Sequence, residues 1–514
     1  MNMLIRRASL IALLIAASAA PALAATCAEL SSLTLAGVTV TMAQDTVAGF
    51  TPPAARGGGG GGGGRGVAPA ASDLPAFCRV AATLKPTPES EIKMELWMPA
   101  TGWNGKFQMT GNGGWNGNVD LNAIMAGLRR GYATASTDTG HEGGGGPWMQ
   151  NREKLVDYGH RAVHETTVVS KALVNAFYGN APRFSYFTGC SAGGRQGLKA
   201  AQTYPADFDG IVAGAPAVSV TGRAAFAAWV AQNNLKTPES YIPPAKYPAI
   251  NNAVLDACDA LDGATDRLIE NPRACRFDPQ VLTCKAGDAD SCLTAAQVET
   301  ARVMYQPLVN PRTKTKINNH LEYGSELGWA TFGGQQPFGV ATQMYQQMVF
   351  RNPAWDYKTL NFDADWAATE KAEGGVVNAL DPNLKPFLSR GGKLIQYHGW
   401  ADPQIPTGSS VDYYESVVKT LGGGAGGRNA IHSGYRMYLV PGMAHCGGGT
   451  GTSTFDMLTA LETWVEKKTA PDSIPASRVA NGQVNRTRPL CAYPQVASYK
   501  GSGSVDDAAS FVCR

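Results

Sequence analysis

Tyr186-Phe187-Thr188-Gly189-Cys190-Ser191-Ala192-Gly193-Gly194-Arg195 contains Gly189-x-Ser191-x-Gly193, the spacing of a nucleophile elbow. The apolar, aromatic run 184–187 leads into it as a short buried strand. Residues 195–204 follow as a helix that Pro205 stops. Strand, tight turn and helix are the context such a serine needs. A side chain at Gly189 or Gly193 would clash in the turn, and the serine hydroxyl projects above the sheet at a helix N-terminus. In a chain with 60 glycines the competing reading is an ordinary Gly-rich turn; the flanking strand and helix favour the elbow.

Outward from this turn, strands and helices alternate. Residues 78–84 and 91–98 read as strands joined by Lys85-Pro86-Thr87-Pro88. Phe107-Gln108-Met109 is a strand running into Gly111-Asn112-Gly113-Gly114, where a fold of this kind carries its second oxyanion donor. Residues 132–137 form another strand, ending at Asp138-Thr139-Gly140-His141, and His141 is a candidate pocket residue. Residues 164–178 carry Val168, Leu173 and Phe177 at helical spacing. Residues 210–213, 393–397 and 435–440 are further strands, and 456–467 is the last long amphipathic helix. The alternation predicts an α/β fold with a mostly parallel central sheet and helices on both faces. Between Ala217 and Pro386 the chain is richer in Asn, Asp, Pro and Cys and lacks alternating buried strands. That segment reads as a large inserted lid domain, which splits the core into 25–216 and 387–514.

Hydrophobic residues make up 44% and charged residues 17% of the 514, a globular composition. A net charge of +3 leaves no footprint for nucleic acid or a membrane surface. Residues 1–24 carry Arg6-Arg7, an apolar run over 10–20, and Ala22-Leu23-Ala24, which is the pattern of a secretory signal peptide cut after Ala24. The run is too short to span a bilayer, and Thr26 before Cys27 argues against a lipoprotein site. The mature chain is predicted to be soluble and exported, to periplasm or medium. The glycine run 57–64 reads as a flexible surface loop, with no Gly-Lys-Ser/Thr after it to suggest phosphate binding.

Ten cysteines suit an oxidising compartment. Chain order favours the local pairs Cys258–Cys275, Cys284–Cys292 and Cys491–Cys513. Cys27 and Cys78 would staple the N-terminal segment. Cys190, beside the serine, and Cys446 remain. Joined, they would hold their Cα atoms within about 7 Å; the alternative is two free buried thiols.

A serine hydroxyl needs a base to take its proton and a third group to orient that base. The expected chain order is Ser, acid, His. Asp402, in Tyr397-His398-Gly399-Trp400-Ala401-Asp402-Pro403, lies just past a strand. His445, in Pro441-Gly442-Met443-Ala444-His445-Cys446-Gly447, lies past the last one. His398 is near the acid but precedes it, and His160 and His164 read as structural. Asp402 could instead be a turn-forming Asp-Pro and His445 a loop histidine.

Gly189-Cys190-Ser191-Ala192-Gly193-Gly194-Arg195, Tyr397-His398-Gly399-x-x-Asp402 and Gly442-Met443-x-His445-Cys446 together closely resemble the tannase/feruloyl esterase family, which includes bacterial mono(2-hydroxyethyl) terephthalate hydrolase. The resemblance covers nearly the whole mature chain, including 111–114 and 136–141. It implies an α/β-hydrolase core, a lid over the site, and hydrolysis of small-molecule aromatic carboxylic esters with no organic cofactor. It maps nucleophile, acid and base onto Ser191, Asp402 and His445. The family's cysteine pair beside Ser and His falls on Cys190 and Cys446. The oxyanion donors would be the N–H groups of Ala192 and of either Gly113 or Gly114.

Asp259-x-x-Asp262-x-Ala264-x-Asp266-x-Leu268 places three carboxylates in a short Gly-containing loop. Such a loop offers a hard cation oxygen ligands, though a solvated acidic turn is the plainer alternative. It looks like the structural Ca²⁺ loop of the family, with Ala264 and Leu268 giving carbonyls and Cys258 and Cys275 bracketing it. Trp329, Phe332 and Trp355 are candidate pocket aromatics. No basic cluster in the lid obviously awaits a free carboxylate, which favours feruloyl or hydroxycinnamoyl esters over terephthalate half-esters; galloyl esters remain an alternative. An exopeptidase and a non-catalytic binding protein are the readings from other classes.

Overall fold

The computed structural model describes residues 24–52 and 73–514. Most of the predicted signal peptide (1–23) and the glycine run 57–64 lie outside the described residues. The first strands are β1 (Val38–Thr46), β2 (Phe77–Leu84), β3 (Ile92–Pro99) and β4 (Lys106–Thr110). Then come β5 (Ala133–Thr137), β6 (Phe184–Cys190) and β7 (Gly210–Gly214). A two-stranded hairpin, β8 (Leu308–Val309) and β9 (Lys316–Asn318), stands apart from β10 (Lys393–Gly399) and β11 (Tyr435–Val440).

Nine strands form one sheet in the order β1-β2-β3-β5-β4-β6-β7-β10-β11. From β5 to β11 all neighbours are parallel; β1, β2 and β3 add an antiparallel meander at one edge. Successive residues of the central strands go to opposite faces. Phe187, Ile211 and Leu394 join one core; Tyr186, Val212 and Ile395 join another. The first core takes in α3 (Ala162–Tyr178) and α4 (Ala192–Thr203), the second the helix Met457–Lys467. α1 (Leu121–Arg129) and the short α2 (Arg152–Val156) precede these two helices. The alternating sheet predicted from the sequence is present, with the central strands buried on both faces as parallel sheets require.

Residues 217–386 contribute no strand to this sheet. They contain α5 (Val220–Asn234) and α6 (Tyr247–Cys258) and enclose a core of their own around Trp329, Phe332 and Ile250. That core also takes Trp115, Met149, Leu155 and Tyr158 from the segments that follow β4 and β5, so the insertion packs against the carboxyl ends of the strands. The predicted boundary at 386/387 cuts through the helix Lys385–Ser389. Ala379, Leu384 and Phe387 already pack in the sheet's core, so the insertion ends before residue 379.

All ten cysteines are paired: Cys27–Cys78, Cys190–Cys446, Cys258–Cys275, Cys284–Cys292 and Cys491–Cys513. The pairs favoured by chain order are the pairs formed.

Candidate active site

Ser191 stands between β6 and α4 with φ 64° and ψ −122°, a strained backbone that an elbow imposes. Its neighbours explain how the turn closes. A Cβ on Gly189 would lie 2.7 Å from the carbonyl carbon of Gly193, and one on Gly194 would lie 2.2 Å from the carbonyl oxygen of Gly214. The helix therefore starts at Ala192, three residues before the predicted start, because Gly193 and Gly194 serve close approach at the expense of helix propensity.

Asp402 lies three residues beyond β10 and is fully buried. Its Oδ1 accepts from the N–H groups of Gln404 (2.8 Å) and Ile405 (3.0 Å). Its Oδ2 accepts from His445 Nδ1 (2.7 Å) and His398 Nε2 (2.9 Å). Burial by itself would raise the carboxyl's pKa. The facing charge of His445 and the hydrogen bonds from His398 and His445 outweigh it and hold the group below the usual carboxylate range. With Nδ1 donating to Asp402, His445 presents Nε2 as the basic nitrogen. His398 Nδ1 accepts in turn from the Ser410 hydroxyl (2.8 Å). His398 is thus a second imidazole on the acid. The chain order Ser, acid, His excludes His398 as the base and does not reveal this partnership; the available signal is its place at the end of β10, four residues before Asp402.

Ser191 and His445 line the same cavity, of about 1160 Å³. Among the described residues no hydrogen bond joins Ser191 Oγ to His445 Nε2; such contacts commonly tighten only once substrate is bound. Cys190 and Cys446, with Cα atoms 5.9 Å apart, tie the serine strand to the histidine loop. Gly113 and Gly114 also line the cavity, and no hydrogen bond among the described residues takes up their N–H groups. Ala192 opens α4, so its N–H has no partner one turn back. The glycine loop is fixed from behind. Asn112 N–H donates to Gln196 Oε1 (3.0 Å) on α4, Gln196 Nε2 donates to Asn112 Oδ1 (3.3 Å), and the Tyr158 hydroxyl donates to the Gly114 carbonyl (2.6 Å).

The predicted pocket aromatics do not line this cavity. Trp329 is wholly buried against Tyr247 and Tyr305, and Phe332 packs on Phe226 and Phe338. Trp355 stacks on Tyr345 and Phe350. All three build the insertion's own core or its edge; the aromatics at the cavity wall are Trp115 and Phe338. His141 is likewise internal, with Nε2 bonded to the Trp115 carbonyl (2.9 Å) and its ring stacked on Trp148. His160 bonds the Tyr204 hydroxyl and His164 bonds Asp207, structural roles both. One basic residue of the insertion does reach the cavity: Arg223 on α5.

In the acidic loop, Asp259 accepts the N–H groups of Asp266 (3.2 Å) and Arg267 (2.9 Å). Asp262 Oδ1 accepts from Ala264 (2.9 Å), and Asp266 Oδ1 from Leu268 (3.1 Å). Asp266 Oδ2 pairs with buried Arg488, and Glu270 lies buried alongside. Burial pushes Asp262 up to about 6, and the charges of Asp266 and Asp259 add to the shift. Of the four carboxyl groups, Asp266 pairs with Arg486 and Arg488 and Glu270 with Arg488, while among the described residues Asp259 and Asp262 have no ion pair. An all-oxygen donor set with surplus buried negative charge fits a hard cation. Among the described residues, the one cluster with three side-chain ligand atoms mutually within 4.8 Å is Cys284, Asp288 and Cys292. Its sulfurs are spent in a disulfide. In the acidic loop, carbonyls would have to complete any shell.

A family model described as tannase and feruloyl esterase matches residues 78–514. An uncharacterized esterase of Xanthomonas campestris is 38% identical over 98% of this chain and 92% of its own. A probable feruloyl esterase B-1 of Aspergillus oryzae is 34% identical over 85% of this chain and 84% of its own. Among solved structures, feruloyl esterase B from Aspergillus oryzae superposes with a TM-score of 0.86 at 31% identity, covering 95% of this chain and all of the other. Tannin acyl hydrolase from Aspergillus niger shares the fold, with a TM-score of 0.77 at 22% identity and coverage of 95% and 94%.

Proposed function

The chain belongs to the tannase and feruloyl esterase family of carboxylic ester hydrolases with an α/β-hydrolase fold, and from that membership we propose that it hydrolyses aromatic carboxylic esters, feruloyl or other hydroxycinnamoyl esters foremost, through a Ser191–His445–Asp402 triad. The observation that carries the reading is the 2.7 Å bond from His445 Nδ1 to buried Asp402 at the wall of the cavity that Ser191 also lines.

In this mechanism the ester carbonyl sits between Ser191 and the glycine loop. Ser191 Oγ attacks as His445 Nε2 takes its proton, and Asp402 fixes the tautomer and stabilises the imidazolium. The N–H groups of Ala192 and of Gly113 or Gly114 hold the oxyanion, with removal of one such donor expected to cost roughly 10²–10³ in kcat. His445 then protonates the leaving alcohol. Water, activated by the same histidine, releases the aromatic acid and restores Ser191.

Ca²⁺ in the loop of Asp259, Asp262 and Asp266, with carbonyls of Ala264 and Leu268, would neutralise the surplus charge there and take no part in bond cleavage. Export after removal of residues 1–24 accords with five disulfides and with the lack, among the described residues, of a helix long and apolar enough to cross a membrane.

Two measurements test the proposal. A fluorophosphonate should label the wild-type protein and leave Ser191→Ala unlabelled; labelling elsewhere removes Ser191 from the role. A hydrolysis panel of methyl ferulate, methyl gallate, chlorogenate and mono(2-hydroxyethyl) terephthalate should show highest kcat/KM on the hydroxycinnamoyl members. Turnover of an amino-acid anilide without any aryl ester would turn the assignment to peptidase.

A further inference from the structure

Arg223 is buried on α5 at 7% exposure and lines the cavity that holds Ser191 and His445. Its Nε is sealed from solvent with no acceptor, and among the described residues the guanidinium makes no hydrogen bond and no ion pair. The face of Phe338, 5.4 Å from the guanidinium carbon, offers partial compensation. A buried cation without a partner is costly, and such groups are ordinarily paired.

The acids at the same wall are already engaged. Glu142 pairs with Lys93. Asp120 caps α1 through the Ala123 N–H (3.0 Å). Asp138 accepts the N–H groups of Lys93 (2.9 Å) and Gly140 (2.8 Å). Asp402, which attracts Arg223 at longer range, is saturated by two histidines and two N–H groups. The Tyr158 hydroxyl donates to Gly114. The protein therefore keeps an unspent, planar, two-pronged donor in the cavity that Ser191 lines, the geometry that receives a carboxylate.

We propose that Arg223 is a specificity-determining residue that binds a carboxylate carried by the substrate, so that the preferred esters are aromatic esters bearing one free carboxylate. This rests on the reading of Ser191 as the nucleophile. The carboxylate belongs either to the acyl half, as in a half-ester of an aromatic dicarboxylic acid, or to the alcohol half, as in an ester of a hydroxy acid. Burial pushes the pKa of Arg223 down, the cost of an isolated cation that a bound anion would relieve.

The test uses two matched substrate pairs on the full chain. Monomethyl against dimethyl terephthalate places the carboxylate on the acyl half; chlorogenate against its methyl ester places it on the alcohol half. In the wild-type enzyme at least one pair should favour the anion in kcat/KM. Arg223→Gln should lower that anion-to-neutral ratio at least tenfold, mainly through KM, and Arg223→Lys should lower it less. The pair that responds identifies the half that carries the charge. Ratios within threefold of wild type in both pairs overturn the inference. A second measurement needs no variant: benzoate should inhibit methyl ferulate hydrolysis at lower concentration than benzamide, and equal inhibition counts against the proposal. Esters turned over with unchanged ratios refute the role of Arg223 alone; failure of Ser191 labelling refutes the site reading beneath it.

Discussion

Two imidazoles share one oxygen of Asp402, and they do different work. His445 faces the cavity; His398 is wholly buried and leads away to Ser410. Asp402→Asn should lower kcat by roughly 10³–10⁴ with the fold intact, because an amide cannot select the His445 tautomer. His398→Gln leaves the Asp402–His445 pair standing and removes one donor. A tenfold drop in kcat with KM little changed is expected, and the stability profile should move with it. Asp402's pKa is depressed in the folded state, so its contribution is present above the unfolded carboxyl value near 4 and is lost as pH falls through the folded value. Losing the His398 bond raises the folded value, so acid unfolding followed by circular dichroism should begin at higher pH than in wild type. An unchanged acid limb and unchanged kcat would remove His398 from the positioning role.

The elements at the site meet through backbone, and this decides what a sequence can reveal about them. β6, α4 and β7 are held together where Gly189, Gly193 and Gly194 approach neighbouring chain, and the Gly-x-Ser-x-Gly spacing advertises that contact directly. That Ser191 and His445 come to one cavity, with Asp402 bonded to His445, was legible because each of the three follows a strand and the expected chain order is restrictive. Arg223 was not. α5 is buried nearly all round, so no polar face marks a functional side, and one arginine in it looks like any other. Trp329, Phe332 and Trp355 show the converse. An aromatic in an insertion is equally suited to a pocket or to a core, and only tertiary packing decides between them. Of the apolar residues at helical spacing in α3, Val168 is 48% exposed, while Leu173 and the adjacent Val169 are buried, so the spacing finds the helix and misses part of its inner face. The disulfide between the serine strand and the histidine loop closes 256 residues of chain, a constraint of about 5 kcal/mol on the unfolded state in the chain-entropy picture. Replacing Cys190 and Cys446 together by Ala should therefore lower both Tm and kcat. Reductant should do the same to wild type, and full activity with both sulfurs shown by mass spectrometry to be reduced would deny the bridge a catalytic function.

Across the whole molecule, the insertion is fastened to the core at several places, among them Lys199 to the carbonyls of Gly375 and Asn378, and two of these fastenings are built on buried guanidinium groups. Under the serine helix, buried Arg195 donates to the carbonyls of Gly159 (2.9 Å) and Val377 (3.0 Å), joining both sides. At the far end, the acidic loop meets the C-terminal hairpin Ser473–Cys491 through Asp266 with Arg488 and Arg486. The second fastening is the one where charge is unbalanced, so it is where a cation should act on stability without acting on chemistry. A site bound only in the folded state stabilises by about 2.7 kcal/mol at a hundredfold excess of ligand over Kd. Chelation of wild type should lower Tm, Ca²⁺ should restore it, and Mg²⁺, which demands tighter octahedral geometry, should restore less. Asp262→Asn should abolish the Ca²⁺-dependent part of Tm and leave kcat on methyl ferulate, measured well below Tm, near the wild-type value. Asp262 suits the test because its carboxyl has no ion pair among the described residues, so the variant removes a cation ligand without breaking the Asp266–Arg488 fastening. A Tm indifferent to chelator in wild type would mean that Arg486 and Arg488 balance the loop without any metal.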